Sequence, residues 1–136
     1  MKKKNLIFAL ALLIGGVSAA LMMNACDKDT NCYVQVSVVD ETSNKPLKNA
    51  FVKIDIDSSY VKAEGYTDVA GLFNATFTAP AIFNVNATYE DGYDSVYTRD
   101  TYICYRKGSN TVRLKEGDTV YSTVVITKDI YREYRN

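Results

Sequence analysis

The chain has 136 residues, a formal net charge of zero at pH 7, and neither histidine nor tryptophan. A chain of this length builds one domain with a hydrophobic core rather than two. Without histidine, the usual general base and every Ser-His-Asp arrangement are excluded, and the commonest transition-metal ligand is missing.

The first segment is an uncharged run, 6–23, which follows three lysines and leads to Cys26. Residues 1–25 resemble a bacterial lipoprotein signal peptide, predicted to be helical. The resemblance implies that Cys26 is acylated, begins the mature chain and tethers it to a membrane. The alternative is an uncleaved signal-anchor helix, since about 18 apolar residues are the lower limit for spanning a bilayer.

Residues 26–32 are predicted to form a short tether that contains Asp27, Lys28 and Asp29. An aspartate next to such a cysteine resembles an inner-membrane retention signal, whereas short acidic and lysine-containing runs resemble surface-export signals of Bacteroidetes lipoproteins. Together with the domain resemblance given below, the second pattern predicts an outer-membrane, outward-facing address. Loss of residues 1–25 leaves a net charge of about −3 and no basic stripe, which argues against nucleic-acid binding.

Alternation of apolar and polar residues over 33–127, with turn signals every ten to fifteen residues, predicts an all-β fold. We expect one antiparallel β-sandwich of about seven to eight strands. The predicted strands are 34–38, 52–56, 60–66, 73–77, 83–89, 96–105, 112–114 and 120–126. Residues 90–92 are predicted to stop the fifth strand, residues 107–110 to form a hairpin turn, and the tail, 128–136, to fray.

Two cysteines remain after Cys26, namely Cys32 and Cys104. In an oxidising compartment they would close a long loop and contribute about 4 kcal/mol as a disulfide. The alternative is a pair of separate thiols that behave as small hydrophobes. Cys32 shares the parity of the buried positions of the first strand, and both alternatives stay open.

Three stretches carry a family resemblance. Residues 46–52 read proline-leucine-x-x-alanine-x-valine, residues 67–73 read threonine-aspartate-x-x-glycine-x-phenylalanine, and Gly92-Tyr93 is a glycine-aromatic pair after a strand. Together they resemble the carboxypeptidase regulatory-like, transthyretin-like β-sandwich domain of exported Bacteroidetes proteins. Pro46, Asp68, Gly71 and Gly92 are predicted to be structural turn residues, because they preset φ, bond the nearby backbone or accept positive φ.

Carboxylates gather in two predicted turns, Asp55 with Asp57, and Glu90 with Asp91 and Asp94. Neither group has the spacing of a calcium loop, so we expect solvated turns, no metal and no cofactor. The same carboxylates are the catalytic candidates if the chain is a small hydrolase of envelope glycans or peptides. The chain lacks a glycine-flanked nucleophile elbow, a phosphate loop and a dinucleotide glycine run, which favours a protein that is not an enzyme.

Tyrosine is abundant, with eleven residues. Tyr93, Tyr97, Tyr102 and Tyr105 surround the predicted sixth strand and could form a contact surface for a glycan or a protein. The alternative is that tyrosine covers half-buried sheet faces with its hydroxyl in water.

These features predict a lipid-anchored binding or assembly module of the cell envelope. The family resemblance implies a partner protein, because such domains usually accompany a larger peptidase or receptor barrel. A third possibility is a glycosylated surface-coat protein, since Ser95 and Thr119 lie in short motifs that resemble Bacteroidetes O-glycosylation sites.

Overall fold

The computed structural model describes residues 28–94 and 102–134, in which eight strands form two packed sheets. A three-stranded sheet has the order β4-β1-β7 and a five-stranded sheet the order β3-β2-β5-β6-β8. The strands are β1 (Cys32–Asp40), β2 (Phe51–Asp55), β3 (Lys62–Tyr66), β4 (Leu72–Phe77), β5 (Ile82–Asp94), β6 (Tyr102–Arg113), β7 (Thr119–Ile126) and β8 (Tyr131–Tyr134). The predicted all-β sandwich of seven to eight strands is therefore confirmed. The predicted leader and Cys26 lie outside the described residues.

Period-two alternation places the core between the sheets. In β1, Cys32, Val34, Val36 and Val38 are buried, while the residues between them face outward. Val52 and Ile54 of β2 and Phe83, Val85 and Ala87 of β5 face them from the other sheet. Each large apolar side chain buried in this way contributes roughly 1.5–3 kcal/mol, which offsets the chain entropy lost on folding.

The pairing of β1 with β7 is parallel, from Tyr33 opposite Thr119 to Asp40 opposite Ile126. The predicted antiparallel sandwich therefore holds for the other pairs of neighbouring strands but not for this one. Parallel neighbours require a crossover, and here the chain passes through the five-stranded sheet between β1 and β7. Alternation in the sequence indicates which residues of a strand face inward, but it does not indicate whether a distant strand pairs with it in parallel or antiparallel.

The predicted hairpin turn at 107–110 is wrong. These residues lie inside β6, which pairs with β5 along its whole length from Tyr102 to Arg113. The predicted short strand at 112–114 is the end of the same strand, as far as Arg113. Gly108 serves close approach rather than a turn, since a Cβ there would lie 2.2 Å from the carbonyl oxygen of Val125.

Strand β5 also extends beyond its predicted end. It passes through a bulge between Glu90 and Gly92 and continues to Asp94, so Gly92 (φ +111°) belongs to an irregular strand rather than to a terminating turn. The tail is not frayed over 131–134, because β8 pairs with the start of β6. Since β1 begins at Cys32, the folded unit extends past the predicted limits of 33–127 at both ends.

Among the described residues, the structure contains no helix that is long and apolar enough to cross a membrane.

Candidate functional site: the outer face of the five-stranded sheet

The residues of the two longer sequence motifs build one structural junction. Gly71 has φ +73°, and a Cβ there would lie 2.8 Å from Cβ of Pro46. Asp68 accepts hydrogen bonds from the backbone N–H groups of Ala70 and Leu72, both at 2.9 Å. Asp68 thus bonds the nearby backbone and Gly71 adopts positive φ, while Pro46 forms an isolated bridge to Val39 beside the end of β1. These residues hold the turn before β4 against the loop before β2.

Thr67 completes this junction, and the sequence reasoning gave it no role of its own. Its buried hydroxyl donates to the carbonyl of Leu47 at 2.5 Å and accepts from the N–H of Ala50 at 2.9 Å. The hydroxyl therefore joins the loop before β2 to the turn after β3, and it satisfies two backbone groups that would otherwise be buried without partners.

Arg106 is a second residue that the sequence reasoning missed. It lies on the inward side of β6 at 13% side-chain exposure and donates to Asp40 at the end of β1 and to both carboxylate oxygens of Asp91. Its guanidinium also lies 5.6 Å from the ring centroid of Tyr89. This ion cluster joins the two sheets where the apolar core ends, and it requires residues 66 positions apart in the chain.

The cluster shifts the pKa values of Asp40 and Arg106. Hydrogen bonds from the Arg106 side chain, and then from Ser43, lower the pKa of Asp40 from 3.8 to about 2. Hydrogen bonds to Asp91 and Asp40 raise the pKa of Arg106 above its ordinary value. Asp40 and Arg106 are thus both charged near neutral pH, which suits a structural ion cluster and not proton transfer.

The predicted tyrosine surface is divided between the two sides of the sheet. Tyr105 lies on the outer side of β6, whereas Tyr102 has the parity of Arg106 on the inner side. Tyr93 pairs by its backbone with Ile103, and Tyr97 lies outside the described residues. The partner of Tyr105 is instead Tyr131 of β8, with ring centroids 5.8 Å apart and planes at 20°. We call Tyr105 and Tyr131 the tyrosine stack.

A cation completes the tyrosine stack. Lys107 Nζ lies 5.0 Å from the ring centroids of both tyrosines. A depression of about 270 Å³ adjoins the stack, where Glu90 and Glu133 lie near Lys107. The stack could not be found from the sequence, because Tyr131 belongs to the predicted frayed tail.

Amides and hydroxyls line the neighbouring part of the same face. Asn84 and Asn86 of β5 lie opposite Thr111 and Ser109 of β6, and Asn84 donates to Asp57 at 2.9 Å. With Asn110 at the rim, these side chains line a depression of about 520 Å³, which we call the amide depression. A further depression of about 410 Å³ is lined by residues of both features, including Asn86, Ser109, Lys107 and Tyr131.

Likeness to a solved pilin structure supports the architecture at the level of the fold. The minor pilin GBS52 of Streptococcus agalactiae matches with a TM-score of 0.50 and 12% identity over 80% of this chain and 49% of the pilin. The chain thus spans about half of the pilin's length. A 5-hydroxyisourate hydrolase of Klebsiella pneumoniae has a TM-score of 0.43 and 16% identity over 76% of this chain and 99% of its own.

A 9R-lipoxygenase from Cyanothece matches with a TM-score of 0.37 and 16% identity over 74% of this chain and 17% of the lipoxygenase. No protein-family model matches the chain. No curated protein matches it either. The pilin likeness therefore concerns the sandwich fold alone.

The carboxylates proposed for the hydrolase alternative have partners in the structure. Asp55 forms an ion pair with Lys53 at 2.8 Å and raises the pKa of that lysine, Asp57 accepts from Asn84, and Asp91 binds Arg106. Glu90 is exposed at the bulge, and nothing is described of the side chain of Asp94. Among the described residues, no cluster of three or more acidic or cysteine side chains could hold a metal ion.

The two described cysteines are free thiols. Cys32 is buried opposite Phe77 on β4, and burial raises the pKa of its thiol. Cys104 lies opposite Gly92 near the other end of β5. The structure therefore contains two separate thiols and not the disulfide. Of the two O-glycosylation candidates, Thr119 is exposed at the start of β7 and Ser95 lies outside the described residues.

Proposed function

We propose that this chain is a non-enzymatic, lipid-anchored binding module of the bacterial cell envelope that recognises a neutral glycan. We place it among carboxypeptidase regulatory-like domains of exported Bacteroidetes proteins, on the three sequence motifs. Acylated Cys26 would hold the sandwich at the outer membrane, facing outward. The outer face of the five-stranded sheet would bind the ligand.

One observation carries the glycan assignment: the tyrosine stack and the amide depression lie side by side on one sheet face. Tyr105, Lys107 and Ser109 succeed one another on the outer side of β6, at intervals of roughly 6.6 Å. Aromatic rings present flat apolar surface to the C–H face of a sugar, while amides and hydroxyls offer donors and acceptors to its hydroxyls. Such a combination suits a sugar better than an apolar ligand.

The charges around this face favour a neutral sugar. Lys107 is directed toward the tyrosine rings, and Glu90 and Glu133 line the depression next to it. Lys53 and Asp55, on the same outer face, neutralise each other. An anionic sugar would meet the two glutamates, and a cationic ligand would compete with Lys107, so neither sign of charge is selected.

The ligand is tested with immobilised envelope glycans followed by calorimetry on each binder. We expect Tyr131→Ala and Asn86→Ala to weaken binding at least tenfold, about 1.4 kcal/mol each. The matched control is Tyr121→Ala, because Tyr121 is an exposed tyrosine on the three-stranded sheet. Absence of any glycan binder, or equal losses for Tyr131→Ala and Tyr121→Ala, would refute the assignment.

The anchor is tested separately. Labelled palmitate should enter the full-length chain in bacterial cells and should not enter the Cys26→Ala variant. Equal labelling of both chains would contradict lipidation at Cys26 but would leave the glycan assignment intact.

A further inference from the structure

Strand β3 is a terminal strand of the five-stranded sheet. It pairs with β2 on one side, from Phe51 opposite Tyr66 to Asp55 opposite Lys62, and no other described strand pairs with its second edge. A free edge presents unpaired backbone N–H and C=O groups that can accept another strand.

Exposed apolar side chains are concentrated at this edge. Tyr60 is fully exposed, Val61 is 47% exposed and Tyr66 is 67% exposed. Between them, Lys62 and Glu64 are exposed on the outer face of the sheet and form an ion pair at 3.4 Å within the strand. A contact surface of this composition would lose apolar exposure if a second strand covered it.

The sequence 60–66, Tyr-Val-Lys-Ala-Glu-Gly-Tyr, is complementary to itself about Ala63. If two copies run antiparallel with Ala63 opposite Ala63, each Lys62 lies opposite the Glu64 of the other copy. In the same register Val61 and Tyr60, which precede β3, come opposite Gly65 and Tyr66.

We propose that two copies of this chain associate through β3 in this register, which joins their five-stranded sheets into one. The contact is isologous: the same strand serves both copies about a two-fold axis. It creates two intermolecular Lys62–Glu64 pairs and brings the exposed tyrosines of the two copies together.

Strand geometry supports the register. The two residues of each pair are both even-numbered or both odd-numbered. The N–H and C=O groups that one strand directs to its free edge therefore meet the C=O and N–H groups of the other strand. A shift of the register by two residues would place Lys62 opposite Lys62 or Glu64 opposite Glu64. Like charges directly opposite each other are unfavourable in an antiparallel pair.

The choice of a second copy as the occupant rests on this charge complementarity. Charged edge residues commonly protect a strand from pairing. Here Lys62 and Glu64 flank Ala63 symmetrically, so the edge of a second copy places an opposite charge against each of them. A strand from an unrelated protein would need the same spacing of opposite charges.

Crosslinking of the full-length chain in bacterial membranes tests the register. In the Ala63→Cys variant the two introduced thiols lie directly opposite each other, with Cβ atoms about 5 Å apart. In the Val61→Cys variant, at the residue that precedes β3 and has the same parity, they are roughly 13 Å apart. We expect a short thiol-to-thiol reagent to crosslink the first variant at least five times more than the second. The unsubstituted chain measures the background crosslinking of the native cysteines.

Charge reversal provides the second readout. In the Ala63→Cys background, Lys62→Glu should reduce the crosslinked dimer about fivefold or more, because it creates two like-charge pairs. Adding Glu64→Lys restores opposite charges at both positions and should restore the dimer. Lys115→Glu, an exposed lysine outside the edge, is the charge-matched control and should have no effect.

Equal crosslinking of the Ala63→Cys and Val61→Cys variants would overturn the proposal, because it indicates random collision. Failure of Glu64→Lys to restore the dimer would also overturn it. Neither result depends on glycan binding, which uses other strands of the sheet.

Discussion

Arg106 shows how one side chain closes one end of the core. Its guanidinium binds Asp40 from the three-stranded sheet and Asp91 from the bulge of β5, over the ring of Tyr89. Replacement by leucine would leave both carboxylates without this partner. We expect Arg106→Leu to lower the free energy of unfolding by roughly 1.5–3 kcal/mol, the range for hydrogen bonds to charged groups, measured by urea unfolding at pH 7.

The lowered pKa of Asp40 predicts the pH dependence of this contribution. The pKa of Asp40 is about 2 in the folded state and 3.8 ordinarily, so ionised Asp40 stabilises the native state above pH 4. This stabilisation is lost as the pH falls to 2 and the carboxylate becomes protonated. The stability difference between wild type and Asp40→Asn should therefore shrink between pH 4 and pH 2. Asp129→Asn, an exposed carboxylate, is the control. A constant difference across this range would contradict the assignment.

At the scale of elements, the contact between β6 and β7 depends on the absence of a side chain at Gly108. A Cβ would lie 2.2 Å from the carbonyl oxygen and 2.8 Å from the carbonyl carbon of Val125. Both neighbours are backbone atoms, so the two strands would have to separate. We expect Gly108→Ala to lower the free energy of unfolding by about 3 kcal/mol, measured by denaturant unfolding.

Ser109→Ala is the matched control for this contact, because Ser109 is the next residue of β6 and is exposed on the outer face. Its effect should stay within about 0.5 kcal/mol. The amide of Asn110 supports the same contact by donating to Ser122 and to the carbonyl of Thr123. A Gly108→Ala protein as stable as the control would show that β6 and β7 are not held at this distance.

At the scale of the whole molecule, Cys32 and Cys104 lie toward opposite ends of the sandwich. Cys32 is opposite Phe77, whose ring centroid lies 4.2 Å from that of Phe83, and Cys104 is opposite Gly92. The path along β5 from Phe83 to Gly92 measures roughly 30 Å, whereas a disulfide requires Cα atoms about 4.4–6.8 Å apart. The two thiols cannot bond to each other in this fold.

Reductant should therefore leave the melting temperature unchanged, and alkylation of the unfolded chain should label both thiols without prior reduction. An intramolecular disulfide would contribute about 4 kcal/mol, so its reduction would lower the melting temperature by roughly 15 °C or more. A shift of that size would show that the cysteines are bonded.

Local chemistry made several features accessible from the sequence alone. Alternation in β1, β2 and the first part of β5 specified which residues face the core, since a one-residue shift would bury charged side chains. The turn at Asp68 and Gly71 was predicted because both roles depend on the residue's own backbone and its near neighbours.

Tertiary structure decided the features that depend on distant residues. Residues 107–110 have turn composition, yet pairing with β5 on one side and the close approach of β7 make them a strand. The tail became β8 because the first part of β6 offered an edge to it. The tyrosine stack and the Arg106 cluster each require strands that only the fold brings together, whereas strand period and turn chemistry are written within a few consecutive residues.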